Sequence, residues 1–138
     1  MNEKDLVKKA FEARKNSYSP YSGFCVGAAL LCVNGKIYTG CNIENASFSP
    51  TCCAERTAFF KAVSDGEKEF EAIAVVGGKK GSDECDFCPP CGVCRQVMNE
   101  FCSKDFKIIM AKNPDDILVV SLKELLPGAF SLESNKIV

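Results

Sequence analysis

Between residues 24 and 121, apolar runs of strand length alternate with stretches of helical spacing, and this alternation narrows the fold more than any other feature. FCVGAALLCV (24–33) reads as a buried strand, and Asn34-Gly35 is a strong hairpin signal leading into KIYTGC. EAIAVVGG (71–78), DFKIIMA and ILVVS (117–121) supply three more strands. The turn KNPDD is too short for a parallel crossover, so the last two strands are expected to pair antiparallel. Leu6, Val7, Ala10, Phe11 and Arg14 mark a first helix running to about Ser17, ended by YSPYSG. A second helix is expected from Ser49-Pro50 through CCAERTAFFKAVS, stopping before Asp65-Gly66. CGVCRQVMNEFC gives a third, after Pro89-Pro90, and SLKELLPG a short fourth. Strand–helix–strand connections cross over right-handed, which covers a mixed sheet on both faces. The expected fold is a three-layer α-β-α sandwich around a mixed five-stranded sheet. No repeat, linker or low-complexity tract divides the chain, so residues 1–138 read as a single domain.

Charge and composition narrow the function. The net charge is −1 and no long basic run is present, so the surplus of cations that neutralises a polynucleotide backbone is missing. A small ligand is expected, with neither nucleic acid nor membrane as partner. The opening MNEKDLVKKAFEARKNS is a charged amphipathic stretch without the apolar core of a signal peptide, and no apolar run is long enough to span a bilayer. The expected compartment is therefore the cytoplasm, where the ten cysteines stay reduced.

The chain contains no histidine. That removes histidine-based nucleophilic triads and mixed cysteine–histidine zinc sites, so a soft-metal centre has to be built from thiolates. Acid–base work near neutral pH falls to a carboxylate, a lysine or a metal-bound water. CDFCPPCGVC places Cys85, Cys88, Cys91 and Cys94 at every third position, a spacing shared by iron–sulfur clusters, structural zinc and catalytic zinc. Cys91 and Cys94 open one helix and project from the same face; Cys53 lies in the first turns of another. The positive end of a helix favours the thiolate, so if the two ends meet, three thiolates converge. Three sulfurs leave a tetrahedral zinc one open position, as catalytic sites require. Glu55 follows Cys53 by two residues, about 200° around a helix, and so is placed beside such a metal rather than on it. Cys52 diverges from Cys53 by about 100° and fails as a ligand on the same ground.

TCCAERTA and PPCGVCRQ resemble the C-A-E and P-C-x-x-C signatures of the zinc-dependent cytidine deaminases. NIENASFS and LPGAF are similar to further elements of their small homotetrameric branch. The resemblance runs in order from FCVGAAL to LPGAF. It implies a cytidine deaminase-like fold, one Zn2+ per chain on Cys53, Cys91 and Cys94, and Glu55 as proton shuttle in the hydrolytic deamination of free cytidine and deoxycytidine. By the same resemblance Arg56 hydrogen-bonds the ligand sulfurs and restores acidity to a metal weakened by three strong donors. Phe24 contacts the pyrimidine, Asn42 and Glu44 the ribose 3′-hydroxyl, and the Ala54 carbonyl the leaving amino group. Phe130 and the segment from Ala46 to Phe48 reach a neighbouring subunit's site, which implies a homotetramer with shared active sites.

Other readings fit part of the pattern. The same zinc centre would serve a deaminase of a cytosine-containing antibiotic nucleoside. Four thiolates in ten residues could also wrap one metal in a binding module, which would leave Cys53 and Glu55 without a purpose. On the deaminase reading Cys85 and Cys88 are spectators in a mobile loop, and Cys25, Cys32, Cys41 and Cys102 are small buried hydrophobes.

Overall fold

The structure, a computed structural model, describes residues 2–132. Helix α1 (Glu3–Arg14) starts at Asn2, whose side chain accepts the Asp5 N–H at 2.8 Å, and buries Leu6, Val7, Ala10 and Ala13. It ends earlier than its periodicity suggests. The N–H groups of Lys15, Asn16 and Ser17 bond to carbonyls three residues back, a tighter turn that closes the helix. Strands β1 (Phe24–Cys32) and β2 (Ile37–Cys41) form the hairpin. Gly35 sits at φ +93° and the Asn34 side chain accepts the Lys36 N–H at 3.0 Å, the local chemistry that the Asn-Gly pair announces.

Helix α2 (Ala54–Ser64), strand β3 (Phe70–Lys79), helix α3 (Gly92–Phe101), strands β4 (Lys107–Asn113) and β5 (Asp116–Ser121), and the single turn α4 (Leu122–Leu125) complete the order. The sheet runs β2-β1-β3-β4-β5, with β3 and β4 parallel and the other neighbours antiparallel. On one face α1 packs over Ala29, Leu31, Ala74, Val76, Ile109 and Ala111. On the other, the α2 and α3 residues Ala58, Phe59 and Met98 pack over Ala28, Leu30, Ile73, Val75, Ile108 and Met110. The Phe59 and Phe70 rings meet edge-on at 5.1 Å. The three layers and the mixed five-stranded sheet match the sequence expectation.

Two close approaches set where the site forms. A Cβ on Gly27 would lie 2.0 Å from the Ala10 carbonyl oxygen, so only glycine lets α1 lie this close to β1. A Cβ on Gly40 would lie 2.5 Å from the Ala54 carbonyl oxygen, which seats the first residue of α2 directly on β2. The start of α2 differs from the expected one. Ser49-Pro50 is a valid local start signal, but Cys52 and Ile43 exchange backbone hydrogen bonds of 2.9 Å in both directions and hold the chain extended up to Cys53. Cys53 is therefore the residue that precedes the helix, with φ −72° and ψ 155°, rather than one within it.

Candidate active site and metal centre

Cys91 repeats the arrangement of Cys53: it precedes α3 with φ −69° and ψ 169°, and its sulfur accepts the Cys94 N–H at 3.5 Å. Two thiols thus stand at helix starts and Cys94 projects from the first turn of α3. The three sulfurs lie within 4.8 Å of one another, and Cys53 Sγ is 3.6 Å from Cys91 Sγ. A tetrahedron with metal–sulfur bonds of about 2.3 Å has edges of about 3.8 Å, so the donor set fits zinc. Cys94 is buried, Cys53 half-buried and Cys91 exposed, which leaves one side of the cluster facing solvent.

The electrostatics fit a cation as well. The Arg56 Nη2 donates to Cys53 Sγ at 3.5 Å and to the Thr51 carbonyl at 3.4 Å, while Arg56 Nε is buried without a hydrogen-bond partner. Three thiolates and a divalent ion leave one negative charge, and this guanidinium offsets it. Hydrogen bonding from the Cys94 thiol, and then from Arg56 and Cys91, draws Cys53 well below the ordinary thiol range. Cys94, as the donor in that pair and buried besides, is pushed up. Of these two, Cys53 ionises first, and a metal has to displace the proton that Cys94 keeps.

Glu55 is only 4% exposed. Burial first, opposed in part by its own backbone N–H, and then the neighbouring Cys53 charge, raise its carboxyl to about 7. A carboxyl poised there both accepts and returns a proton near neutral pH. The Ala54 carbonyl, expected to anchor the amino group, is turned instead against Gly40 with the Ala58 N–H beside it, inside the helical ladder. What Ala54 leaves unpaired within α2 is its N–H, one of the donors that every helix start leaves over.

Of the remaining expected residues, Phe24, Asn42 and Glu44 gather around the start of β1, whereas Phe130 is tied to α3. The Asn42 Oδ1 accepts the Val26 N–H at 2.9 Å and the Ser17 hydroxyl, and its Nδ2 donates to the Phe24 carbonyl at 2.8 Å. The Glu44 carboxylate is held below the usual range by the Ser22 hydroxyl first, then by the Ser22 and Tyr21 backbone N–H groups. The Phe24 ring is 40% exposed, Phe48 82% and Phe130 62%, and Ala46 is exposed. Gln96 Nε2 and Asn99 Nδ2 both donate to the Phe130 carbonyl, at 3.1 and 2.9 Å, fixing the backbone from which that ring projects.

Cys85 and Cys88 are not members of the three-sulfur group, and they meet opposite faces of β3. The point where a Cβ on Gly77 would lie is 3.0 Å from the Cys88 sulfur; the corresponding point on Gly78 is 2.9 Å from the Cys85 sulfur. Consecutive strand residues face opposite sides of a sheet. Cys88 is therefore on the α2 face with Phe24, and Cys85 on the α1 face with Arg14. Burial, then the Glu55 charge, pushes Cys88 up to about 11, and burial raises Cys85 too, so both are neutral thiols. Their loop is tied down: Asp86 bridges to Gly77, and Arg14 donates to the carbonyls of Cys25, Lys79 and Ser82. Of the four small-hydrophobe cysteines, Cys25 and Cys32 are buried, while Cys41 and Cys102 are only partly so.

Sequence reasoning overlooked Ser22 and Arg14. Ser22 sits in YSPYSG, whose local signal is a helix break, and Arg14 falls in a helical stripe, so neither pattern marks its residue as a partner of distant segments.

Comparison with known proteins points one way. Residues 1–110 match the family model of the cytidine and deoxycytidylate deaminase zinc-binding region. Cytidine deaminase from Sporosarcina psychrophila is 50% identical over 133 residues, covering 96% of this chain and 94% of that protein. The cytidine deaminase of Halalkalibacterium halodurans is also 50% identical over 133 residues, at 96% and 97% coverage. The crystal structure of cytidine deaminase from Burkholderia pseudomallei superposes with a TM-score of 0.85 at 45% identity, covering 94% of this chain and all of that one (100%).

Proposed function

The chain belongs to the cytidine and deoxycytidylate deaminase family, and from that premise we propose how its residues carry out the reaction. It is a zinc enzyme that hydrolyses cytidine to uridine and ammonia, and deoxycytidine to deoxyuridine by the same route. The observation that carries this reading is the buried Glu55, raised to about 7, beside three sulfurs at zinc spacing. When bound, zinc supplies Lewis acidity that brings a water molecule's pKa to about 7.

Cys53, Cys91 and Cys94 hold the metal, and Arg56 draws charge from the sulfurs so that the acidity survives three thiolates. Glu55 accepts the proton of the attacking water and delivers it to N3 of the pyrimidine as oxygen adds to C4. It then takes the proton of the new C4 hydroxyl and passes it to the exocyclic nitrogen; as the C4–N bond breaks, the C4 carbonyl forms and ammonia leaves. The edge or face of Phe24 orients the ring. The Ala54 N–H contributes a donor from the start of α2.

Asn42 and Glu44, two residues apart on an extended segment, bind the ribose 3′-hydroxyl. That contact excludes polynucleotides, whose 3′-oxygens are esterified, and the net charge of −1 supports the exclusion. The substrate is a free nucleoside. Phe48 and Phe130, large and solvent-exposed on one chain, support assembly into a homotetramer in which these aromatics and Ala46 complete a neighbour's site. Ten cysteines suit a reducing compartment, and no helix among the described residues is long and apolar enough to cross a membrane; the cytoplasm is the proposed location. Incubating purified protein with cytidine and following ammonia tests the reading: release with conversion to uridine is expected, and unchanged cytidine would contradict it.

A further inference from the structure

The sugar side and the ring side of the site share one hydrogen-bonded unit, and Ser22 is its hinge. The Glu44 Oε1 accepts the N–H groups of Tyr21 and Ser22 at 3.0 and 3.1 Å, and its Oε2 accepts the Ser22 hydroxyl at 2.5 Å. That same hydroxyl oxygen accepts the Phe24 N–H at 3.0 Å. At the other end of the residue, the Phe24 carbonyl accepts from Asn42 Nδ2 at 2.8 Å. Both backbone polar groups of the ring-contacting residue are thus tied to the two sugar side chains, one directly and one through a serine. A hydroxyl has a single donor and two acceptor positions. Ser22 spends the donor on the carboxylate and one acceptor on Phe24. The turn that presents it depends on Gly23, at φ +66°, whose N–H donates to the Ser19 carbonyl at 3.0 Å.

We propose that Ser22 is a positioning residue for nucleoside deamination: its hydroxyl aims the Glu44 carboxylate and links it to the Phe24 backbone, coupling the grip on the sugar to the placement of the ring. The proposal rests on the reading of Asn42 and Glu44 as the 3′-hydroxyl site. Alanine at position 22 removes the donor to Glu44 Oε2 and the acceptor for Phe24 together, leaving the carboxylate held at Oε1 alone by the two backbone N–H groups. Threonine keeps both functions. Ser22 is exposed, so neither change disturbs the core.

The test compares wild type, Ser22→Ala and Ser22→Thr, each zinc-loaded, on cytidine and on 3′-deoxycytidine. Wild type is expected to lose about 10- to 100-fold in kcat/KM when the 3′-hydroxyl is absent, the range of a hydrogen bond to a charged group. In Ser22→Ala the cytidine rate falls, mainly through KM, while the 3′-deoxycytidine rate barely changes, so the gap between substrates narrows. Ser22→Thr restores it. A general structural role would lower both substrates alike, and that result, or a gap unchanged in Ser22→Ala, overturns the proposal while leaving the sugar site intact. A wild type that treats the two substrates equally overturns the sugar site itself and the proposal with it.

Discussion

Cys53 and Cys91, each the residue preceding a helix, bring their sulfurs to 3.6 Å from one another. The relationship makes the start of α2 and the start of α3 a single structural object, and Cys94 closes it from within α3. Glu55 and Arg56, on the first turn of α2, are carried into place by the same junction.

Zinc affinity should rise with pH. Metal binding requires three thiolates, and in the metal-free protein Cys53 sits below the ordinary thiol range whereas Cys94 sits above it. Above the low range where Cys53 titrates, its proton is already gone; below the raised range of Cys94, that proton must still be displaced. Between about pH 6 and 8 each displaced proton contributes about one decade of apparent affinity per pH unit. Chelator competition across that range measures the slope, and a flat profile would contradict the assignment.

Arg56→Ala should separate metal content from turnover. The guanidinium contacts Cys53 but is not a ligand, so zinc stays bound while kcat falls by about 10- to 100-fold. Metal analysis beside steady-state kinetics checks this; full zinc with wild-type turnover would remove the role.

Replacing Cys85 and Cys88 together with serine should leave zinc at a single ion per chain. Their sulfurs lie on opposite faces of β3 and outside the cluster formed by Cys53, Cys91 and Cys94. Loss of metal in the double variant, or visible iron–sulfide absorbance in the wild type, would instead favour the four-thiolate binding module.

Much of this was legible from local chemistry. Asn34-Gly35 announces the hairpin because its turn depends on residues within it, and the alternation of apolar runs announces the layers. That Cys53, Cys91 and Cys94 come together was legible from the resemblance of TCCAERTA and PPCGVCRQ to the deaminase signatures, in a chain with no histidine to offer as an alternative. The start of α2 was not, since Ser49-Pro50 satisfies every local rule and loses to the non-local pairing of Ile43 with Cys52. The separation of Cys85 from Cys88 was also hidden, because it depends on which side of β3 each thiol meets once Asp86 has bridged to Gly77. Ser22 escaped notice for a similar reason: its partner Glu44 lies on another segment that the fold brings alongside.

The most direct test of the central claim is ammonia release from cytidine by Glu55→Gln, measured with its zinc content. Glutamine keeps the shape of the side chain and cannot carry the proton. The variant is expected to retain zinc on the three cysteines and to lose deamination by at least about 100-fold, the scale of general acid–base catalysis. A zinc-loaded Glu55→Gln enzyme that releases ammonia at the wild-type rate would contradict it.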